Sequence, residues 1–461
     1  MATMPTTDRV LRRRVAISSY LGTTIEYYDF LLYGAAAALI FNKVFFANLS
    51  PLLGTIAALA TLAAGYVARF AGAVLFGHFG DRIGRKNVML VTMVTMGISS
   101  GLIGLLPTYA MIGAAAPLIL LFLRLLQGVA VGGEFGGAVL MASEHAGNHA
   151  RGRAASSAAM GAPSGAVLAT AAMTLVTLLP EDALFAWGWR VPFVGSFLLL
   201  GLGMWFRSRI EESPVFLAQA EQARVAAAPQ RREVPFLALL RTDGGRVFNA
   251  VVVQIGAFCG QGVFGVWIGS YAPTIGYSRS LVLLTIMFGM IISVATTPLC
   301  AGLSDKFGRR PIVLFGTLAT VAGAYPLLML INTRSAPLFV IAVVLYLAVI
   351  MTPVTAVAPA FLSELFNTEV RFTAVSISYQ LAATVGAGFG PLIAASLLLM
   401  AGGGTNTGLI SLFLVVVGLI SALTLRLLPE TSRRSLLEPT TTATGGSIDG
   451  RVEEEAPRIG T

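Results

Sequence analysis

Long apolar runs alternate with short polar segments along the whole chain, each run near the ~20 residues that a helix needs to cross a hydrocarbon core of about 30 Å. The runs fall at 15–41, 52–77, 88–107, 117–142, 154–179 and 190–206, then at 247–273, 281–302, 311–331, 337–361, 373–400 and 407–427. This pattern predicts an all-α membrane protein of twelve spans, arranged as two six-helix bundles over 15–206 and 247–428. Residues 1–14 form a polar N-terminus. Residues 207–246, with seven arginines and no apolar periodicity, read as a connecting loop, and 429–461 as a tail expected to be disordered.

The polar segments repeat. Asp81, Arg82, Gly84, Arg85 and Lys86 after the second run answer to Asp305, Lys306, Gly308, Arg309 and Arg310 after the eighth, each 224 residues on. Glu144 with Arg151 and Glu364 with Arg371 share a seven-residue spacing, 220 residues apart. A doubled six-span unit is the architecture of many secondary transporters, with the substrate path between the halves.

Composition agrees with a membrane protein. Of 461 residues, 56% are hydrophobic and 11% charged, and the mean hydropathy is +0.80; a soluble domain carries about 25% charge. The net charge of +9 is scattered over short segments, with no basic stripe, so nucleic acid is excluded as a partner. All but six of the 31 Lys and Arg fall on one side, the exceptions being Lys43, Arg190, Arg279 and Arg334 outside and Arg69 and Arg124 within spans. The positive-inside rule then predicts both termini in the cytoplasm, with the chain in the plasma (inner) membrane. The basic start "RVLRRRVAISSY" is expected to remain as an uncleaved first span. Cys259 and Cys300 lie inside apolar runs, and His78, His145 and His149 at span ends. No metal site, cofactor or disulfide framework is expected.

The loop pattern G-x-x-x-D-R-x-G-R-K is complete from Gly77 to Lys86, and its second copy departs at Ala301 and Lys306. In this the sequence resembles the major facilitator superfamily. Within it, "IEYYDFLLYG", "RFAGAVLFGHFGDRIGRK", "RLLQGVAVGGEFGG", "WGWRVPF" and "EESPVF" look like the metabolite:proton symporter family, to about Ser435. That resemblance implies proton-coupled carriage of dicarboxylates, citrate, shikimate, aromatic acids, or proline and betaine. It also implies that the Gly77–Lys86 loop gates the cytoplasmic side, with Gly77, Asp81, Arg82, Gly84, Arg85, Lys86, Asp305, Arg309, Glu144, Arg151, Glu364 and Arg371 as gate residues. Two features depart from the family: Gln380 after Tyr379, where Asn is usual, and a Thr-rich tail without heptads.

Five charged side chains fall inside spans, where an ionised group costs at least about 2.5 kcal/mol. With a rise of about 1.5 Å per residue, Glu26 lies roughly 18 Å and Asp29 about 22 Å from the cytoplasmic end of span one, and Arg69 about 18 Å from that side. Arg124 falls about 10 Å below the outer face, and Glu134 about 15 Å above Glu144. Asp29 and Arg124 therefore share an outer layer, and Glu26, Arg69 and Glu134 a middle one. Three acids against two bases leave one carboxylate without a full partner, which suits a proton-coupling group; Asp29 is the first choice, with Glu26, Arg124 and Glu134 beside it. The bland alternative is a static ion-pair network that fixes packing. Arg69 either binds an anionic substrate or only neutralises Glu26.

The second half offers neutral polar groups. Gln254, Gln261, Trp267, Tyr379 and Gln380, with Tyr28, Gln127, Arg69 and Arg124 of the first half, make a candidate binding face for a small, anionic molecule; bridging between helices is the competing role for each. Gly128, Gly132 and Gly136, with Gly133 and Gly137, make a stripe for close helix packing. The function predicted is proton-coupled symport of a small organic acid by alternating access, in a monomer. Uptake of a zwitterionic osmolyte and proton antiport remain open. Neither an enzyme's catalytic constellation nor an ATP-binding G-x-x-x-x-G-K-[ST] loop is present.

Overall fold

The computed structural model describes residues 6–49, 51–144, 151–209, 235–368 and 370–432, with 212, 217, 221 and 434 besides. Of the tail expected to be disordered, 429–432 and 434 are described, with Glu430 and Thr431 bonded to Arg309 and Glu364; the rest of it, most of the connecting loop, and His145 and His149 lie outside the described residues. The first half consists of α1 (Thr6–Ala36), α2 (Pro51–Ile83), α3 (Arg85–Leu105), α4 (Ala115–Glu144), α5 (Arg151–Thr177) and α6 (Arg190–Ser208). The second consists of α7 (Arg241–Thr274), α8 (Arg279–Phe307), α9 (Arg309–Asn332), α10 (Ala336–Leu365), α11 (Arg371–Met400) and α12 (Gly408–Leu425). The apolar runs of α3 to α12 are each long and apolar enough to cross a membrane, while α1 and α2 occupy the first two expected spans.

Two boundaries differ from the sequence reading. Helix continues α7 backwards to Pro235, through a non-helical residue at Asp243, into what reads as loop. At the other edge of that segment Arg207 and Ser208 belong to α6, and Arg207 is buried.

Large apolar side chains such as Leu118, Phe122, Leu299, Phe307 and Leu399 remain exposed on the outer helix faces. Such a surface suits lipid, in which helices satisfy their own backbone groups. Helix pairs α1 with α5 and α2 with α4 build the first bundle, and α9 and α7 each against α12 the second. Contact between halves runs through α5 against α8 and α10, and through α11 against α2 and α4.

Glycine sets the closest of these approaches. A Cβ at Gly132 would fall 2.2 Å from the Arg69 carbonyl oxygen, and one at Gly128 would fall 2.3 Å from that of Gly65. The glycine stripe therefore lets the α4 backbone touch α2. Gly84 and Gly308 start α3 and α9 with φ of 104° and 101°, a region that other residues rarely enter, and so the repeated loop keeps glycine at both positions.

Candidate functional site

At the end expected to face the cytoplasm, buried ion pairs tie the halves together. Arg371 of α11 reaches Glu144 of α4 at 3.3 Å, and Arg85 of α3 approaches the same carboxylate at 3.6 Å. The second-half copy mirrors this: Arg309 of α9 grips Glu364 of α10 through Nη2 at 2.9 Å and Nε at 3.1 Å, with Arg151 of α5 at 3.9 Å. Asp305 crosses between halves, accepting from the Gly152 N–H at 2.8 Å, the Arg153 N–H at 2.9 Å and Arg309 Nη1 at 2.7 Å. The structure thus brings Arg85, Glu144, Arg151, Asp305, Arg309, Glu364 and Arg371 together. Gly77 packs against Thr373 of α11. Lys86 Nζ donates instead to the Ser208 carbonyl, within its own half. Asp81 and Arg82 side chains lie outside the described residues.

Two acids absent from the predicted set complete this end. Glu212 accepts from the Arg85 and Lys86 N–H groups at 3.1 Å, and Glu430 from those of Arg309 and Arg310 at 2.9 and 3.0 Å. Each satisfies the orphan donors that open a helix, α3 and α9 respectively. Burial works to raise the Glu430 carboxyl, but the N–H groups of Arg309, Ser432, Arg310 and Thr431 outweigh it and hold it below the usual range. Their 218-residue separation, close to that of the gate repeat, was the available signal.

A cavity of about 250 Å³ lies between the halves, walled by α1, α2, α5, α7, α8, α10 and α11. Tyr27 and Tyr379 meet across it, hydroxyl to hydroxyl, at 3.3 Å, and the Tyr379 ring stacks on Phe135 at 3.6 Å. Gln261 and Arg69 also line it. Arg69 is 2% exposed, with its guanidinium 3.6 Å from the Phe30 ring centre, 4.7 Å from Tyr66 and 5.9 Å from Tyr27. No described carboxylate lies within ion-pair distance of it. Aromatic faces stabilise a cation but leave its hydrogen-bonding capacity for a ligand.

The rest of the candidate binding face is not on the cavity wall. Gln254 donates to the Ala250 carbonyl of its own helix, Gln380 to the Val131 carbonyl across the halves, and Tyr28 to the Pro192 carbonyl. Trp267 stacks on Tyr271. Gln380 and Tyr28 bridge to neighbouring helices, whereas Gln254 and Trp267 find their partners within α7.

The buried charges pair differently from their depths. Asp29 makes no ion pair with Arg124. It accepts a hydrogen bond from the Ser196 hydroxyl of α6, with the Ser100 hydroxyl of α3 nearby. Arg124 lies over Phe30 and Tyr33, 3.9 and 4.2 Å from their centres, and donates to Gln127 Oε1 at 3.1 Å; Gln127 donates to Ser100 Oγ at 2.7 Å. Gln127 and Ser100 therefore stand between the two members of the outer layer. In the middle layer Glu134 pairs with Arg207 of α6, not Arg69, and accepts from Thr92 Oγ1 at 2.7 Å. Arg207 also donates to the Met89 carbonyl at 2.9 Å. It is the base missing from the count of three acids against two. That imbalance was the signal for it, hidden because Arg207 lies one residue past the apolar run.

Glu26 is 3% exposed and neither of its oxygens is hydrogen-bonded. Glu26, Asp29, Thr92 and Glu134 share a chamber of about 10 Å³ inside the first bundle, apart from the main cavity. Its size suits about one water molecule. Among the described residues no three His, Cys, Asp or Glu side chains group as metal ligands.

Comparison with known proteins gives one consistent answer. The family described as "Sugar (and other) transporter" matches residues 15–442. The shikimate transporter of Escherichia coli (strain K12) is 35% identical over 423 residues, covering 91% of this chain and 95% of the relative. The proline/betaine transporter of the same organism is 32% identical, covering 93% and 85%. Among solved structures, the major facilitator proton:xylose symporter XylE, bound to 6-bromo-6-deoxy-D-glucose, aligns over 94% of this chain and 98% of its own with a TM-score of 0.77 at 22% identity. That likeness shows the fold.

Proposed function

The chain belongs to the sugar (and other) transporter family of the major facilitator superfamily, and from that premise we propose that it imports a small carboxylate-bearing metabolite together with protons. It is a secondary transporter rather than an enzyme. The observation that carries the substrate reading is Arg69: a buried guanidinium on the wall of the cavity between the halves, ringed by three aromatic faces and unclaimed by any described acid. A planar fork of donors is suited to a carboxylate, and Gln261 and the Tyr27–Tyr379 pair offer hydrogen bonds to its hydroxyls. The 35% identical shikimate transporter favours a cyclic hydroxy acid over an osmolyte.

Asp29 is the group proposed to carry the coupling proton. It lies beneath the first-bundle surface, held by neutral hydroxyls rather than by a permanent cation, so its charge can change without leaving an arginine uncompensated. With the gate ion pairs closed, the cavity is open to the outer side in this reading. Proton and substrate together allow the bundles to rock and the gate to part. The protein sits in the inner membrane as a monomer with both termini cytoplasmic.

Uptake by the full chain in proteoliposomes tests this, with radiolabelled shikimate, proline and betaine under proton gradients of either direction. Uphill shikimate uptake with an inward gradient is expected, and Arg69→Gln is expected to raise its half-saturation concentration roughly 30-fold or more, the effect of removing one partner of a buried charge pair. Uptake of proline or betaine alone would move the substrate class to zwitterions, and uptake driven only by the opposite gradient would make the protein an antiporter.

A further inference from the structure

Glu26 is placed between two sites that the preceding reading keeps apart. On one side is the one-water chamber that it shares with Asp29, Thr92 and Glu134. On the other is the cavity wall, where Arg69 faces the substrate path. The charges that face Glu26 are Arg69 from α2, Glu134 from α4 and Arg207 from α6, with Asp29 one turn along its own helix; α3 contributes the neutral Thr92. Arg207 is already committed to Glu134. Of the three described buried arginines near Glu26 and Asp29, Arg69 is thus the uncommitted cation, since Arg124 is bonded to Gln127.

We propose that Glu26 links the two solutes, binding a proton when an anion occupies Arg69 and releasing it when Arg69 is free. This rests on reading Arg69 as the substrate anchor. The physical reason is field compensation. An ionised carboxylate that receives no hydrogen bond from the described protein groups, in a site large enough for only about one water, depends on nearby cations. When a substrate carboxylate neutralises Arg69, that support is lost, and a proton takes its place. The proton passes from Asp29 to the chamber water as that water gives one of its own to a Glu26 oxygen, so no net charge enters the chamber. Reciprocity follows, because whatever makes the anion favour protonated Glu26 makes the proton favour the anion-bound protein. Linkage of this kind is what obliges a symporter to carry both.

The test needs no substrate, because Arg69→Gln reproduces the neutralisation. Infrared difference spectra of the full chain in lipid nanodiscs, taken across a pH series, read the C=O stretch of protonated buried carboxylic acids. Glu26→Gln should remove one such band, and Glu26→Asp should restore it displaced, which separates the assignment from loss of fold. Asp29→Asn should leave the Glu26 band in place. In Arg69→Gln the Glu26 band should persist to higher pH than in wild type, with roughly tenfold less free proton giving the same signal, the effect of about one unit. Absence of a band assignable to Glu26, or a band indifferent to Arg69→Gln, overturns the linkage. Failure of the transport reading shows instead as absent proton-driven uptake of every labelled solute, so the two are told apart.

Discussion

The two bundles share a topology and differ in what they keep in the membrane interior. The first encloses Glu26, Asp29, Arg69, Arg124 and Glu134, with Arg207 at the rim, whereas the described interior of the second holds neutral groups such as Gln254, Gln261, Tyr346 and Tyr379. At the gate the halves converge again, with Arg85 and Glu144 matched by Arg309 and Glu364, and Glu212 by Glu430. The internal repeat is kept at the end expected to face the cytoplasm, where both bundles build the same ion pairs and helix caps. It is lost in the interior, where the first bundle holds buried charges and the described second bundle neutral hydrogen-bonding groups.

The largest expected effect tests the asymmetry. Asp29→Asn should lower proton-driven uphill uptake by roughly 10²- to 10⁴-fold, the range of a positioned proton-transfer group, while counterflow exchange of labelled shikimate persists. Gln254→Ala, in the second bundle, should leave the coupling ratio unchanged. Uphill uptake by the Asp29 variant, or uncoupling by the Gln254 variant, would break the division of labour.

The symmetry of the gate is tested next. Glu144→Gln and Glu364→Gln each strand a buried arginine, at a cost of about 3–5 kcal/mol to the closed gate, and the two should act alike. Accessibility of a cysteine introduced at Ala159, on the cavity wall, to an impermeant thiol reagent from the cytoplasmic side should rise equally in both. A response in only one would show that one bundle alone latches the gate.

The smallest effect concerns the two end caps. Glu430→Ala and Glu212→Ala should each lower thermal stability by about 0.5–1 kcal/mol, the usual loss for a helix-end acceptor. For Glu430 the pH dependence follows in sign. Because its folded carboxyl lies below the ordinary range, its contribution is complete above the unfolded value and is lost as pH falls through the folded one. The difference between wild type and Glu430→Ala should therefore vanish in acid.

Much of the fold was legible in residue order. A helix in lipid must be apolar over a fixed length, so the spans follow from hydropathy, and the duplicated loop exposes the halves. The ion-pair cluster that we propose as a gate was legible in the repeat: Glu144, Arg151, Glu364 and Arg371 recur at one spacing and meet in the fold. The candidate site was legible in part. Arg69, Gln261 and Tyr379 reach the cavity, whereas Tyr28, Gln127 and Gln380 turn to other helices and Gln254 and Trp267 to their own. Helix rise gives a side chain's depth but not its bearing around the axis, and two residues at equal depth can face opposite ways.

The sequence by itself determined which segments span, which loops pair as repeats, and that charge is concentrated in the first bundle. Only the tertiary structure decided who meets whom: serines for Asp29, Arg207 for Glu134, aromatic rings for Arg69, and no hydrogen bond for Glu26. Arg69 takes its place where α2 and α4 close on each other across Gly128 and Gly132, and Asp29 and Glu134 take theirs where α6 seats against α1 and α4, a packing outcome that no single helix encodes.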